Sequence, residues 1–211
     1  MNAEGRTTRV KVDTCTIQHL NKILRISEPN GRSMNLRSLP PRVQDLFDQL
    51  NVPARLRWHS ILVHDVASEV VDRLRRSFQN LSLDDETTLQ GAALHDLGKI
   101  LHPEELVGPG RQHEIDGPRF LEEVGVEPRV ARFARTHGSW KHEAVELDDL
   151  LVALADNLWK GRRNEELEAI VVEAIARQMG QEKWLVFGQL DEIFAEIASE
   201  GASRLAMQLR E

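Results

Sequence analysis

From residue 41 onward, apolar residues recur at three- and four-residue intervals, and histidines and aspartates sit on or beside the resulting stripes. The six that matter are His59, His95, Asp96, His113, His137 and Asp156. This combination constrains the fold more than any other feature. The spacing dictates helices. Imidazoles and carboxylates turned toward a core need partners there, because burying them alone is unfavourable. Six such groups on five helical segments point to one shared partner, and a metal suits them all.

The segments can be read one by one. Pro40-Pro41 breaks the chain before a short helix over Arg42–Leu50. Residues 54–79 carry Leu56, Val63, Val66, Val70 and Leu74 at helical spacing, with His59 one turn before Val63. Asp84-Asp85-Glu86 places acidic groups where a helix start favours them, and the helix it opens runs to His95-Asp96, before Gly98. Residues 100–112 read as a loop. A helix then begins near His113, and Pro128 opens another that carries Val130, Phe133, Ala134 and His137 and stops at Gly138. Asp148 or Asp149 starts the helix with Val152, Ala153, Asp156 and Trp159 aligned. Asn164 caps a helix that ends at Gly180, and a last helical stretch starts near Gln181 and breaks near Gly201. Long helices with short connections give an all-α bundle. Residues 1–40 form an irregular N-terminal extension, with a strand over Thr7–Thr16, a turn at Pro29-Asn30-Gly31 and room for a β-hairpin. The helical domain covers residues 41–211, with its motif core at 54–160.

Composition narrows the function. At 211 residues and 41% hydrophobic, the chain supports one sizeable core plus an appendage. A net charge of -7 argues against general nucleic-acid binding and against a polybasic membrane patch, while leaving room for a small anion in a locally basic pocket. Cys15 is the sole cysteine, so no internal disulfide forms and zinc sites built on cysteine pairs are excluded. The first residues hold no apolar core of a signal peptide, and no run of about 18 apolar residues occurs. A cytoplasmic protein without a membrane span is expected, with a homodimer left open.

Of the two His-Asp pairs, His64-Asp65 and His95-Asp96, the second is followed by Leu97-Gly98-Lys99 and flanked by the other ligand types. Arg55-Leu56-Arg57-Trp58-His59-Ser60, His95-Asp96-Leu97-Gly98-Lys99, His113-Glu114-Ile115-Asp116-Gly117, His137 and Ala155-Asp156-Asn157 together resemble the HD superfamily of metal-dependent phosphohydrolases. The resemblance covers about residues 54–160. It implies an HD-type helical bundle and two divalent metals (Mn, Fe, Co, Ni, Zn or Mg) bridged by Asp96. His59, His95 and Asp156 would hold the first, and His113 and His137 the second. Two such ions lower the pKa of a bridging water and clamp phosphoryl oxygens. The resemblance also implies Asp96, Lys99 and Glu114 as catalytic groups.

The substrate is then a phosphate ester, a nucleotide or another small phosphorylated metabolite, with Lys99, His102, Lys160 and Arg163 as contacts. No Gly-Tyr-Pro segment follows His137 and the chain has no tyrosine, which sets it apart from members that cleave cyclic dinucleotides. The same six ligands also resemble the diiron oxygenases of the superfamily, and a non-catalytic ligand-binding module is a third reading.

Each residue has a plainer alternative. His59 could be a hydrogen-bonded core histidine, His95 a residue at a helix C-terminus, Glu114 a dipole partner at a helix start, and His137 a residue before a C-cap glycine. Asp156 sits mid-helix, where no capping role exists. Lys160, Arg162 and Arg163 fit a solvated helix end, and Trp140 and Trp159 fit either packing or a pocket wall. His64, about 140° around the helix from His59, is expected to face solvent. His19 and His142 fall outside the set.

Overall fold

The computed structural model describes residues 24–27, 33–142 and 144–209. Strands β1 (Leu24–Ser27) and β2 (Ser33–Leu36) pair antiparallel, with Leu24 opposite Leu36. The strand expected at Thr7–Thr16 and the turn at 29–31 lie outside the described residues, as does His19. From Pro41 the secondary structure is helical: α1 (Pro41–Gln49), α2 (Ala54–Ser77), α3 (Asp85–Leu94), α4 (Gln112–Glu123), α5 (Pro128–Ala131), α6 (Phe133–Ser139), α7 (Leu147–Leu158), α8 (Glu165–Met179), α9 (Lys183–Ser199) and α10 (Gly201–Gln208). The fold is an all-α bundle. None of the described helices is long and apolar enough to cross a membrane.

Local chemistry explains most boundaries. Pro41 opens α1 and Pro53 precedes α2, where a missing N–H does no harm. The Asp84 carboxylate caps α3 by accepting from the Thr87 backbone N–H at 3.0 Å. Glu146 and Asp149 form a reciprocal capping box on α7. Asn164 caps α8, which ends at Gly180 in the left-handed conformation (φ 61°).

Three expectations need correction here. The stretch 100–112 is not a plain loop, since 3-10 turns occupy Leu97–Ile100 and Pro103–Leu106. The helix from Pro128 to His137 is two helices, α5 and α6. Gly138 lies inside α6 instead of ending it. A Cβ there would fall 2.5 Å from the Glu114 carboxylate, so the glycine makes room for that side chain.

The bundle is organised around α7, which packs against α2, α3, α6 and α8. Every α7 residue except Asp156 and Asn157 is buried. Its long apolar run, Leu150–Ala155, suits the centre of a domain. Its start is tied down by polar contacts: Asp148 accepts from the Thr88 hydroxyl at 2.9 Å, and Asp149 accepts from the Thr136 hydroxyl at 2.7 Å and from Arg132 at 3.1 Å. These bonds fix the orientation in which α7 presents Asp156 about two turns later.

His64 does not face solvent; it is 4% exposed. Helix α2 is covered on several sides at once, by α3 and α7, by α9 and α10, and by β2. A turn of about 140° therefore moves a side chain from one packed face to another. The His64-Asp65 pair is structural. The Arg37 backbone N–H donates to Asp65 Oδ1 at 2.9 Å, and the Arg37 guanidinium donates to Asp72 at 2.6 Å, which clamps the chain after β2 onto α2.

Burial, and next the nearby Arg37 charge, push His64 down to about 4 from an ordinary 6.5. Between those values the unfolded chain binds a proton that the folded one refuses, so stability is full above pH 6.5 and falls toward pH 4. In the His64→Leu variant, the loss of unfolding free energy between pH 7 and pH 5 should shrink by on the order of 1–2 kcal/mol. Urea titrations at the two pH values measure it, and an unchanged gap would show that His64 is not the titrating group.

Candidate metal centre

Five segments deliver the six predicted ligands to one place. His59 comes from α2, His95 and Asp96 from the end of α3 and the turn after it, His113 from α4, His137 from α6 and Asp156 from α7. His59 Nε2 lies 3.2 Å from His95 Nε2, 3.0 Å from Asp96 Oδ2 and 3.6 Å from Asp156 Oδ1. On the other side, Asp96 Oδ1 lies 3.1 Å from His113 Nε2 and 3.6 Å from His137 Nε2. Asp96 thus turns one oxygen to each of two histidine pairs. Within each triad, His59–His95–Asp96 and Asp96–His113–His137, the donor atoms fall within 4.8 Å of one another.

The outer nitrogens explain why the inner ones are free. The Nδ1 of His95 lies 2.9 Å from the Ala92 carbonyl, and that of His137 lies 3.0 Å from the Phe133 carbonyl. The Nδ1 of His113 bonds the Glu105 carboxylate. In each case Nδ1 carries the proton and Nε2 offers a lone pair inward. His59 Nε2 and His95 Nε2, 3.2 Å apart and facing two carboxylates, sit this close only with a proton or a cation between them. Neutral nitrogen and ionised oxygen at such distances fit a divalent cation.

His95 and the two carboxylates follow that pattern, whereas His113, against its own burial, is raised by Asp96 and Glu105 beside it. Burial drives His95 down to about 3, so it stays neutral. Burial alone would raise Asp96, but the imidazoles of His95, His113 and His59 outweigh it and hold the carboxyl well below its ordinary value. Asp156 is likewise lowered, against its own burial, by Lys160, His59 and His95. The Lys99 ammonium bonds Asp96, and Lys160 reaches Asp156 at 3.2 Å. Two lysines thereby neutralise the carboxylates from the open side. The Trp159 indole donates to Asp156 Oδ1 at 3.2 Å and meets His59 edge-on, so it braces the site as well as packing.

A cavity of about 380 Å³ opens over the cluster. Lys99, Glu114 and Lys160 line it, as the sequence predicts. Glu114 is held by Arg111, which donates to its Oε2 at 2.7 and 3.0 Å and to the Gly138 carbonyl at 3.1 Å. His102 and Arg163 are not brought to the cavity. His102 pairs with Asp116 at 3.0 Å, and Arg163 is spent on Glu168 and Asp191 at 2.6 and 2.7 Å, which tie the α7–α8 turn to α9. The sequence did not reveal Arg55, Glu105 and Gln208 on the cavity wall. Arg55 precedes His59 by one helical turn, a spacing that could have found it. Glu105 lies in an aperiodic stretch and Gln208 on the last helix, where no local signal exists.

Glycines permit the convergence. A Cβ on Gly98 would fall 2.6 Å from the His113 carbonyl oxygen and 2.9 Å from the Gly117 Cα. A Cβ on Gly117 would fall 2.9 Å from the Ala134 Cβ. The turn after Asp96, helix α4 and helix α6 therefore touch nearly backbone to backbone, which brings His113 and His137 within reach of Asp96.

A family model described as HD domain matches residues 58–175, more than half of the chain. No curated protein and no solved structure matches it.

The Gly98→Ala variant should lose about 1–3 kcal/mol of stability from overpacking against backbone and bind divalent cations more weakly. Gly188→Ala is the control, because nothing lies within 4 Å of its Cβ position. Denaturant unfolding and cation-dependent thermal shifts report both effects, and identical behaviour of the two variants would contradict the close-approach argument.

Proposed function

The chain belongs to the HD domain family, and from that premise we propose that it is a metal-dependent hydrolase of phosphate esters, acting on a nucleotide or another small phosphorylated metabolite. The observation that carries this reading is the double orientation of Asp96, one oxygen toward His59 and the other toward His113. That arrangement suits two cations sharing a carboxylate. His59, His95 and Asp156 would hold one, and His113 and His137 the other. When bound, the pair supplies Lewis acidity and an activated water for in-line attack on phosphorus.

The chain's own groups have distinct tasks under this reading. Asp96 and Asp156 concentrate negative charge where cations are needed, and their lowered pKa keeps them ionised through the neutral range. Lys99 and Lys160 neutralise those carboxylates until cations arrive. Displaced from that role, their ammonium groups are free to meet the phosphoryl oxygens entering the cavity. Arg55 adds a third positive group at the wall. This local basic lining accounts for anion binding by a chain whose net charge is -7. Glu114, steadied by Arg111, is the cavity-wall carboxylate placed to orient a water, or to take a proton from it and pass that proton to a leaving oxygen. The tight packing behind His95 and Asp96 excludes bulk water from the rear of the site, which strengthens every charge interaction within it.

The test is a panel of phosphomonoesters and phosphodiesters screened with Mn, Co, Ni, Fe, Zn and Mg, beside the Asp96→Ala protein. Phosphate or alcohol release should require an added divalent cation and fall by about 1000-fold or more in the variant. Equal turnover by both proteins would overturn the assigned site. Oxygen uptake by the iron-loaded protein without phosphate release would place it with the oxygenases instead.

A further inference from the structure

We propose that Glu105 is the positioning residue of the second cation pocket, the one made by Asp96, His113 and His137, and that this pocket is intact only while Glu105 is seated. The proposal rests on the binuclear reading above. Its starting point is a difference among the histidines. His95, at the C-terminal cap of α3, and His137, in α6, each follow a formed helical turn, so each finds an Nδ1 acceptor in a carbonyl of that turn, Ala92 and Phe133. His113 is the second residue of α4, and the residues one turn before it do not belong to that helix. No helical carbonyl can serve it, so its ring needs an acceptor from elsewhere.

Glu105 supplies that acceptor and a second service with it. The residue preceding α4, Arg111, provides no side-chain cap. The first backbone N–H groups of the helix are instead taken by Glu105: Gln112 N–H donates to Oε1 at 2.8 Å and His113 N–H to Oε2 at 3.2 Å. The same Oε2 takes His113 Nδ1. One carboxylate therefore caps the helix start and orients the ring. As an acceptor-only group it fixes the proton on Nδ1 and leaves Nε2 as the donor atom facing Asp96. The side chain is 4% exposed, and the rest of its 3-10 turn is largely at the surface.

A second observation is independent of these bonds. A Cβ on Gly110 would fall 2.2 Å from Glu105 Oε1 and 2.4 Å from its Cδ. The chain leading into α4 wraps the carboxylate so closely that only glycine fits. The turn bearing Glu105 and the loop bearing Gly110 thus form a socket whose product is one orientation of one imidazole. Among the described residues, no hydrogen bond or ion pair joins Glu105 to His59, His95 or Asp156 of the first pocket. Loss of Glu105 should therefore affect the two cations unequally.

Calorimetric titration with Mn²⁺ and the visible absorption of added Co²⁺ test this on the full chain. The proteins compared are wild type, Glu105→Ala, Glu105→Gln, Gly110→Ala, His113→Ala and the Glu105→Ala/His113→Ala double variant. Wild type should take up two equivalents. Glu105→Ala should keep one at wild-type affinity and weaken the other by about 10–100-fold. Glu105→Gln and Gly110→Ala should weaken the same equivalent less, and they carry the test if the alanine variant does not fold. The double variant should bind like His113→Ala alone, because both changes remove one function. In nitrogen-15 spectra of the metal-free protein, His113 should be the Nδ1–H tautomer in wild type and a mixture in Glu105→Ala. Folded Glu105 variants that bind both equivalents like wild type, or that weaken both equally, would overturn the proposal while leaving the binuclear reading standing. Uptake of fewer than two equivalents by wild type would overturn that reading and this proposal with it.

Discussion

The structure depends on one buried carboxylate. Asp96 is 3% exposed and lies among imidazoles, of which His95 is held neutral by its burial. An ionised carboxylate in such a place is unfavourable unless donors or cations surround it. The protein meets that need from both sides. Histidines approach each oxygen from within, and a lysine ammonium closes the outer side. His95, His113 and His137 are in turn held by their other nitrogen, and the holders are carbonyls of formed helices or a carboxylate in a capped turn. Local secondary structure and site geometry are therefore the same set of bonds viewed from two ends.

Packing turns that local logic into a global one. The ligands come from segments spread over about a hundred residues, so the helices must approach more closely than ordinary side chains allow. Small residues at Gly98, Gly117 and Ala134 make this possible on one flank. On the other, α7 is buried on nearly every side and fixes the depth of Asp156. The capping and hydrogen-bonded groups at its start, Asp148 and Asp149, keep it from rotating. Rigid helices set at close range are how a chain holds charged groups within a few ångströms of one another without letting them relax apart.

Much of this was legible in the sequence because it is periodic. Apolar spacing marked the helices, and a histidine or aspartate that falls on such a stripe must point inward. The structure brings all six of those ligand candidates close together, and it sets Lys99 and Lys160 on the cavity wall. The sequence reading failed where periodicity carries no information. His64 was assigned to solvent because a helix viewed alone has an outside, whereas α2 is packed on several faces. Arg163 was assigned to substrate because cations near a site invite that reading, but its acidic partners Glu168 and Asp191 are distant in sequence and visible only in the fold. Glu105 and Gln208 act through tertiary placement alone. Gly138 was read as a stop signal, and its neighbour in space, Glu114, gives a different reason for it.

The C-terminal helix has a consequence of its own. Gly161, in the turn just after Lys160, meets Gly201 so tightly that a Cβ on the latter would fall 2.2 Å from the Gly161 nitrogen, and α10 is thereby pinned beside the cavity with Gln208 donating to the Arg55 carbonyl at 3.4 Å. Both Arg55 and Gln208 lie outside the stretch that matches the family model. The reactive floor and the doorway above it are thus cut from different lengths of chain. Descendants of this sequence could exchange one threshold for another and so change what enters, while the chemistry beneath stayed as it was.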